Sequence, residues 1–239
     1  MINFVDLWVY LSGNSLLWLT LTLLAYIAAD AISVALGRHP LANPVLMSVV
    51  FIAAVLVLSK TAFPSYFAGA QFIHFLLGPA TVALAVPLFR HLPQVKRMFV
   101  PMIVALVVGC VVAVASAVLL AQWLGLSKIA TLALAPKSAT AAIAMGVAEN
   151  MQSDPALTAV MVILTGISGA ILVTPLMNAL GLKNYAARGF AVGLVSHGIG
   201  TARAFQVDPL AGTFASIALG LNGVLTAILV PLLLPWLLG

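Results

Sequence analysis

A lysine stands in the middle of an apolar segment, beside a proline and two hydroxyl-bearing residues. The stretch contains Pro136, Lys137 and Ser138, followed by Thr140. Proline interrupts the helical hydrogen-bond ladder, and a cation at the centre of a membrane segment costs about 2.5–3.5 kcal/mol. We therefore expect Lys137, Ser138 and Thr140 to bind an anion where a new half-helix begins. The alternative is that Lys137 lies near the interface and extends its ammonium into water.

A second group of polar residues lies at 196–203, where the chain contains Ser196, His197, Thr201 and Arg203. Histidine exchanges a proton near neutral pH, and arginine can bind a carboxylate through two parallel hydrogen bonds. Glycines between them would let the backbone approach a ligand. The alternatives are that Arg203 marks the cytoplasmic end of a helix and that His197 is structural.

Two further polar residues are weaker candidates for ligand binding. Asn43 directly precedes Pro44, a pair that an N-cap followed by proline at the first helical position explains well. Thr81 follows Gly78 and Pro79, and its hydroxyl could contact a ligand or bond back to its own helix.

Catalytic and metal-binding patterns are absent from the sequence. It has no nucleophile and base at a recognisable spacing, no phosphate-binding loop and no HExxH motif. Its one cysteine, Cys110, lies in an apolar run without metal-ligating neighbours, and only five carboxylates exist. We expect no enzyme activity, no metal and no cofactor.

The composition predicts the elements that position these residues. The chain is 64% hydrophobic and 6% charged, against about 25% charged in soluble domains, so its solvent must be the lipid bilayer. Long apolar runs without period-two alternation favour helices over a barrel. The net charge of +5 is scattered between apolar runs, which indicates loops beside anionic lipid rather than nucleic acid. We predict an all-α, polytopic helical bundle, forming a single membrane domain over residues 1–239.

Eight apolar segments are expected, and three of them contain proline or glycine beside polar residues. These three, 72–89, 129–148 and 189–205, are predicted to be broken or re-entrant. A weak internal repeat at a shift of 57 residues suggests repeat units 72–125 and 129–182. The eight segments are 15–36, 44–59, 72–89, 98–121, 129–148, 156–180, 189–205 and 213–238.

Loop charges favour a re-entrant segment. If all eight segments cross, Lys and Arg are divided four against four, contrary to their usual cytoplasmic bias. If 129–148 returns to the side it entered, only Lys60 and Lys128 lie opposite, with Glu149, Asp154 and Asp208. If 72–89 is re-entrant as well, Arg38 and Lys60 exchange sides and the repeat units become inverted. In the first re-entrant topology the basic residues on the majority side are Arg38, Arg90, Lys96, Arg97, Lys183 and Arg188.

Several longer motifs resemble the LrgB/CidB family over about residues 40–235. The most specific are PKSATAAIAM at 136–145 and ARGFAVGLVSHGIGTARAF at 187–205, with LLGPATVALAVPL at 76–88 and GTFASIALGLNG at 212–223. Two positions depart from the family pattern. Ala142 stands where proline is common, and no acidic residue is found at Gln206 or Ala211, which leaves His197 as the better candidate for proton coupling.

The resemblance implies two functions that the residues leave open. One is a carrier of small monocarboxylates such as pyruvate, glycolate or glycerate, since the family includes part of a plastid glycolate/glycerate transporter. The alternative is a holin- or antiholin-like modulator of murein hydrolase export and autolysis, acting with an LrgA/CidA-type membrane partner. Either function would place the chain in the bacterial inner membrane, and a homodimer is plausible for so small a bundle.

Overall fold

The described backbone consists of helices, in agreement with the predicted all-α membrane bundle. The structure, a computed structural model, describes residues 14–83 and 85–238. Four of its helices are long and apolar enough to cross a bilayer, namely Ser15–Ala35, Phe99–Trp123, Pro155–Ala179 and Pro209–Leu238. The chain forms two compact units, Met1–Ala83 and Leu84–Gly239.

The first unit is built on close packing between its first and third helices. Its elements are α1 (Ser15–Ala35), α2 (Pro44–Ser59), α3 (Phe63–Phe75) and α4 (Leu77–Ala83). The fully buried Trp18 of α1 stacks edge-on against Tyr66 of α3. A Cβ added at Gly69 would overlap the Ser15 carbonyl, so glycine is required there. Asp30, in the second half of α1, forms an ion pair with Arg38, which lies just after the helix.

The second unit contains eight helices among its described residues, and three of them are long. The long helices are α7 (Phe99–Trp123), α10 (Pro155–Ala179) and α12 (Pro209–Leu238). The remaining elements are α5 (Ala85–Arg90), α6 (Leu92–Arg97), α8 (Lys128–Leu134), α9 (Ala141–Asn150) and α11 (Tyr185–Val207).

Helices α8 and α9 form a hairpin that enters the unit and returns to the same end. They have seven and ten residues, or about 10 and 15 Å, and each is too short to cross about 30 Å of hydrocarbon. The Ser153 hydroxyl, just after α9, donates to the Ile129 carbonyl at the start of α8, at 3.0 Å. The prediction that 129–148 is re-entrant is confirmed. Residues 128–150 are called the first hairpin below.

Helix α11 reverses direction at His197 and forms a second hairpin over residues 185–207. His197 has φ 41° and ψ −135°, values outside the helical region. Val207 and Tyr185 line the same small cavity, although a straight helix would separate them by about 33 Å. Val192 and Ala204 likewise share one buried cluster.

The second hairpin corrects the expected topology. The sequence predicted a break within 189–205, but every topology considered there treated this segment as crossing the membrane. Because the chain instead turns back at His197, Asp208 lies at the end of the unit that carries Arg188, rather than at the opposite end. The reversal depends on one residue with positive φ, a conformation that histidine rarely adopts.

The two hairpins enter from opposite ends of the second unit. Met102 of α7 packs with Phe190 of the second hairpin and Phe214 of α12. At the other end, beside the first hairpin, the Gln122 side chain of α7 donates to the Leu237 carbonyl of α12 at 3.0 Å. Lys96, Arg97, Lys183 and Arg188 therefore share one end, and Lys128, Glu149 and Asp154 share the other, as predicted for this unit.

The pattern of one long helix followed by one hairpin occurs twice along the second unit. Helices α7 and α10 have 25 residues each and begin 56 residues apart, whereas the hairpins begin at Lys128 and Tyr185, 57 residues apart. In this arrangement each long helix is followed by a hairpin, and the second pair is inverted relative to the first. The repeat units predicted from sequence, 72–125 and 129–182, have the same shift but different bounds, and they stay a prediction.

Small residues hold the second hairpin against α12. A Cβ at Gly189 would overlap the Ala211 carbonyl, and a Cβ at Gly193 would overlap the Ala215 carbonyl. The two glycines are four residues apart and therefore lie on one face of the helix. This small-residue seam lets the backbones approach closely, as in other membrane helix pairs.

Candidate functional site

One amide joins the two hairpins. Asn222 of α12 is 1% exposed, and its Nδ2 donates to the Ser138 carbonyl at 3.1 Å and to the Leu194 carbonyl at 3.0 Å. Ser138 lies in the turn of the first hairpin, and Leu194 lies three residues before the reversal of the second. Two of the three segments that the sequence predicted to be interrupted therefore meet inside the unit, and both are held by α12.

His197 fixes the tip of the second hairpin to α10. Its Nε2 lies 2.9 Å from the Val162 carbonyl, so the ring donates from Nε2 because a carbonyl can only accept. A Cβ at Gly166 would lie 2.5 Å from the imidazole Cε1, and glycine thus provides the space for the ring. Positive φ in a non-glycine residue costs about 1–3 kcal/mol and marks a position that its surroundings hold in place.

The serine and the threonine of the second hairpin, Ser196 and Thr201, contact the hairpin itself and α10. Thr201 donates to the His197 carbonyl at 2.8 Å. Ser196 is fully buried, and its Oγ has no hydrogen-bond partner among the described residues. It presses against Gly169 of α10, where any Cβ would overlap it. Ser196 also lines an apolar cavity of about 460 Å³ between α10 and the second hairpin.

Lys137 lies at the tip of the first hairpin and lines a larger cavity of about 500 Å³. Its Nζ donates to Ser138 Oγ at 3.3 Å, and no described carboxylate forms an ion pair with it. The cavity is walled by α7, by the first arm of the second hairpin and by Phe214 of α12. Lys137 therefore places an uncompensated positive charge between the hairpins.

The first hairpin also presents backbone donors near this charge. Helix α9 begins at Ala141, and its N-cap residue Thr140 makes no side-chain capping bond. The first N–H groups of a helix have no partner within it and carry partial positive charge. Ser138 is buried and Thr140 is half-buried. Lys137 donates to the Ser138 hydroxyl, and of Lys137, Ser138 and Thr140 only Lys137 lines the cavity.

Three predicted site residues are not part of the two hairpin tips. Arg203 is on the returning arm of the second hairpin, about 9 Å along the helix from His197; its Nη1 donates to Gln206 Oε1 at 3.4 Å, and it does not line the Lys137 cavity. Asn43 belongs to the first unit, where its Oδ1 accepts from Val45 and Leu46 as the N-cap of α2. Thr81 falls in α4, and its side chain lies outside the described part of the structure.

Sequence reasoning missed Asn222, Gly166 and Gly169. Asn222 is the only amide side chain inside the apolar run 213–238, and a polar group in that environment needs a partner. That signal could have identified it. The two glycines could not be identified in this way, because their role depends on which residues of the second hairpin they face.

The helices and the two opposed hairpins define a multi-pass helical membrane protein with re-entrant segments. The LrgB-like family model matches residues 22–236, and the chain belongs to this family. It is 34% identical over 216 residues to the uncharacterized protein YwbG of Bacillus subtilis, covering 90% of this chain and 96% of that one. It is 30% identical over 221 residues to the holin-like protein CidB of Staphylococcus epidermidis, covering 92% and 96%.

A further relative has the opposite designation. The antiholin-like protein LrgB of Bacillus mycoides is 28% identical over 194 residues, covering 81% of this chain and 84% of that protein. No solved structure matches the chain.

Proposed function

We propose that this protein is a carrier of small organic monoanions, with monocarboxylates such as pyruvate, glycolate or glycerate as its substrates. The observation that supports this function is the position of Lys137, an uncompensated cation at the tip of a re-entrant hairpin that meets a second, inverted hairpin. Broken helices that meet inside inverted repeats form the substrate sites of many secondary transporters.

The roles of the other residues follow from their positions. Lys137 and the free N–H groups at the start of α9 attract and hold the carboxylate, and the hydroxyls of Ser138 and Thr140 orient it. His197, which uses Nε2 to bind Val162, retains Nδ1 for a proton that moves with the anion. Ser196, Thr201 and Arg203 belong to the second hairpin. The chain has no enzymatic role in this proposal.

The experiment is uptake of labelled pyruvate into proteoliposomes that contain Lys137→Met. We expect protein-dependent uptake to fall at least tenfold, because methionine preserves the length and apolar character of the side chain but removes the charge. Lys128→Met is the matched control, since Lys128 is exposed at the entrance of the same hairpin. Unchanged uptake by Lys137→Met would remove this lysine from the site.

The relatives' designations favour a second candidate, a holin- or antiholin-like modulator of autolysis. In that function the chain would act in the bacterial inner membrane by assembling with an LrgA/CidA-type partner, and the buried polar contacts would serve helix association. Co-reconstitution with such a partner distinguishes the two. A change in the partner's oligomeric size without protein-dependent flux of any carboxylate would support modulation, whereas flux by the chain alone, as a monomer or a homodimer, would support the carrier.

A further inference from the structure

The cavity beside Lys137 has one charged residue and walls that are otherwise almost entirely apolar. Among the lining residues, the polar side chains are Lys137 and Ser116. The apolar lining includes Met102, Ala105, Val112, Phe190, Leu194 and Phe214. The charge therefore lies at one side of a hydrocarbon surface.

The volume exceeds what a small acid requires. The cavity measures about 500 Å³, whereas a three-carbon acid of about six heavy atoms, at the ~30 Å³ that one water occupies, would fill less than half of it. The remaining space lies against apolar side chains that a three-carbon acid does not reach. Such surface favours a ligand with an apolar substituent, because burial of apolar area is favourable in proportion to that area.

The charge limits the ligand to a monoanion. One ammonium can compensate one carboxylate, and Lys137 is the only cation among the described residues that line the cavity. A second carboxylate would be buried against apolar walls without a partner, which is costly. A hydroxyl group on the tail would also lose its hydrogen bonds to water.

We propose that the preferred substrate is a monocarboxylate with a branched or extended apolar tail, bound with its carboxylate at Lys137 and its tail between α7 and the first arm of the second hairpin. This inference rests on the proposed carrier function and narrows its substrate class. Hydroxylated acids and dicarboxylates bind less well at the same site.

Three 2-oxo acids test the inference, because they share one ionised head and differ in the tail. Proteoliposomes take up labelled pyruvate or labelled 4-methyl-2-oxopentanoate, with unlabelled pyruvate, 4-methyl-2-oxopentanoate or 2-oxoglutarate as competitors. We expect the half-inhibiting concentration of 4-methyl-2-oxopentanoate to be about tenfold below that of pyruvate, as burial of a few methylene groups predicts. 2-Oxoglutarate should compete least.

A matched pair of substitutions locates the effect. Val112 and Val108 lie on the same helix and are 58% and 57% exposed, but only Val112 lines the cavity. Val112→Phe should remove the preference for the longer acid, whereas Val108→Phe, outside the cavity, should change neither that preference nor pyruvate uptake.

The outcomes separate the inference from the function on which it rests. Protein-dependent uptake in which all three acids compete equally, or 2-oxoglutarate competes best, overturns the apolar-tail proposal and leaves the carrier intact. Absence of protein-dependent uptake of both labelled acids overturns both. If Val112→Phe fails to fold, as judged by gel filtration, the order of competition in the unsubstituted protein still decides.

Discussion

The two hairpins of the second unit reverse the chain by different means. The first uses a non-helical stretch over 135–140, which contains Pro136 and leaves Lys137 half-buried at a cavity. The second reverses at His197 alone, with positive φ and a side chain that is 5% exposed. The difference indicates a division of roles. The first tip presents a positive charge that can bind a ligand, and the second is a rigid turn packed on α10.

The largest effect is expected at the glycines under the second tip. Gly169→Ala places a Cβ where Ser196 Oγ and Cβ lie, and overpacking of this kind typically costs 1–3 kcal/mol or more. We expect a loss of folded protein in gel filtration, recovered in the double variant with Ser196→Gly. The control is Gly146→Ala, because a Cβ there meets nothing within 4 Å. A fully stable single variant would show that the tip is not held against α10.

A loss of similar size is expected when the link between the tips is removed. Asn222→Leu leaves the carbonyls of Ser138 and Leu194 without their amide donor, at about 1–3 kcal/mol for each unsatisfied group. The apparent melting temperature in detergent should fall by roughly 5–15 °C, at about 2–4 °C per kcal/mol. Thr226→Val is the comparison, since it removes a long 3.4 Å bond to Asn222 and a 3.6 Å contact with Cys110 Sγ and should have a much smaller effect. Equal effects of the two substitutions would argue against the link.

The strain at His197 can be separated from its hydrogen bond. His197→Ala loses the bond to Val162 and keeps the unfavourable φ, whereas His197→Gly loses the bond and relieves the strain. We expect the glycine variant to be more stable than the alanine variant by about 1–2 kcal/mol, measured as a difference in thermal unfolding. If alanine is as stable as glycine, the reversal is not strained.

The smallest effect on stability is expected at the first tip. Lys137→Met removes an uncompensated charge from an apolar cavity, so its melting temperature should be unchanged or slightly raised, even though carboxylate uptake is lost. Thermal unfolding and uptake measured on the same preparation test this. A large loss of stability would mean that Lys137 stabilises the fold rather than binding a ligand. The proposed difference in role between the two hairpin tips would then be wrong.

Much of the architecture was predictable because lipid restricts the choices. Proline and glycine beside polar residues identified the interruptions within 129–148 and 189–205, and the imbalance of Lys and Arg identified the first hairpin as re-entrant. The break predicted within 72–89 stays a prediction. The same reasoning did not recognise that 189–205 also returns. Its glycines permitted a turn, but the reversal occurs at the histidine between Ser196 and Gly198.

The candidate site was predicted in part. Lys137, Ser138 and Thr140 lie at the first tip, and Ser196 and His197 lie at the second, where the structure brings the two together. Arg203 carries the same charge as Lys137 but lies along the returning arm, away from the tip. Its position could not be predicted, because it depends on the residue at which the chain turns. Asn222 was not singled out as a site residue, since its importance depends on two carbonyls that are 84 and 28 residues away.

The sequence by itself determined that this protein is a helical bundle in lipid, with polar groups at interrupted segments. A chain with so few charges cannot cover a surface that faces water, and in lipid its long apolar runs without period-two alternation can satisfy their backbone only as helices. Only the tertiary structure decided that two hairpins enter from opposite ends and meet on one asparagine. That arrangement depends on close approach at glycines and on a single backbone dihedral, and neither leaves a periodic pattern in the order of residues.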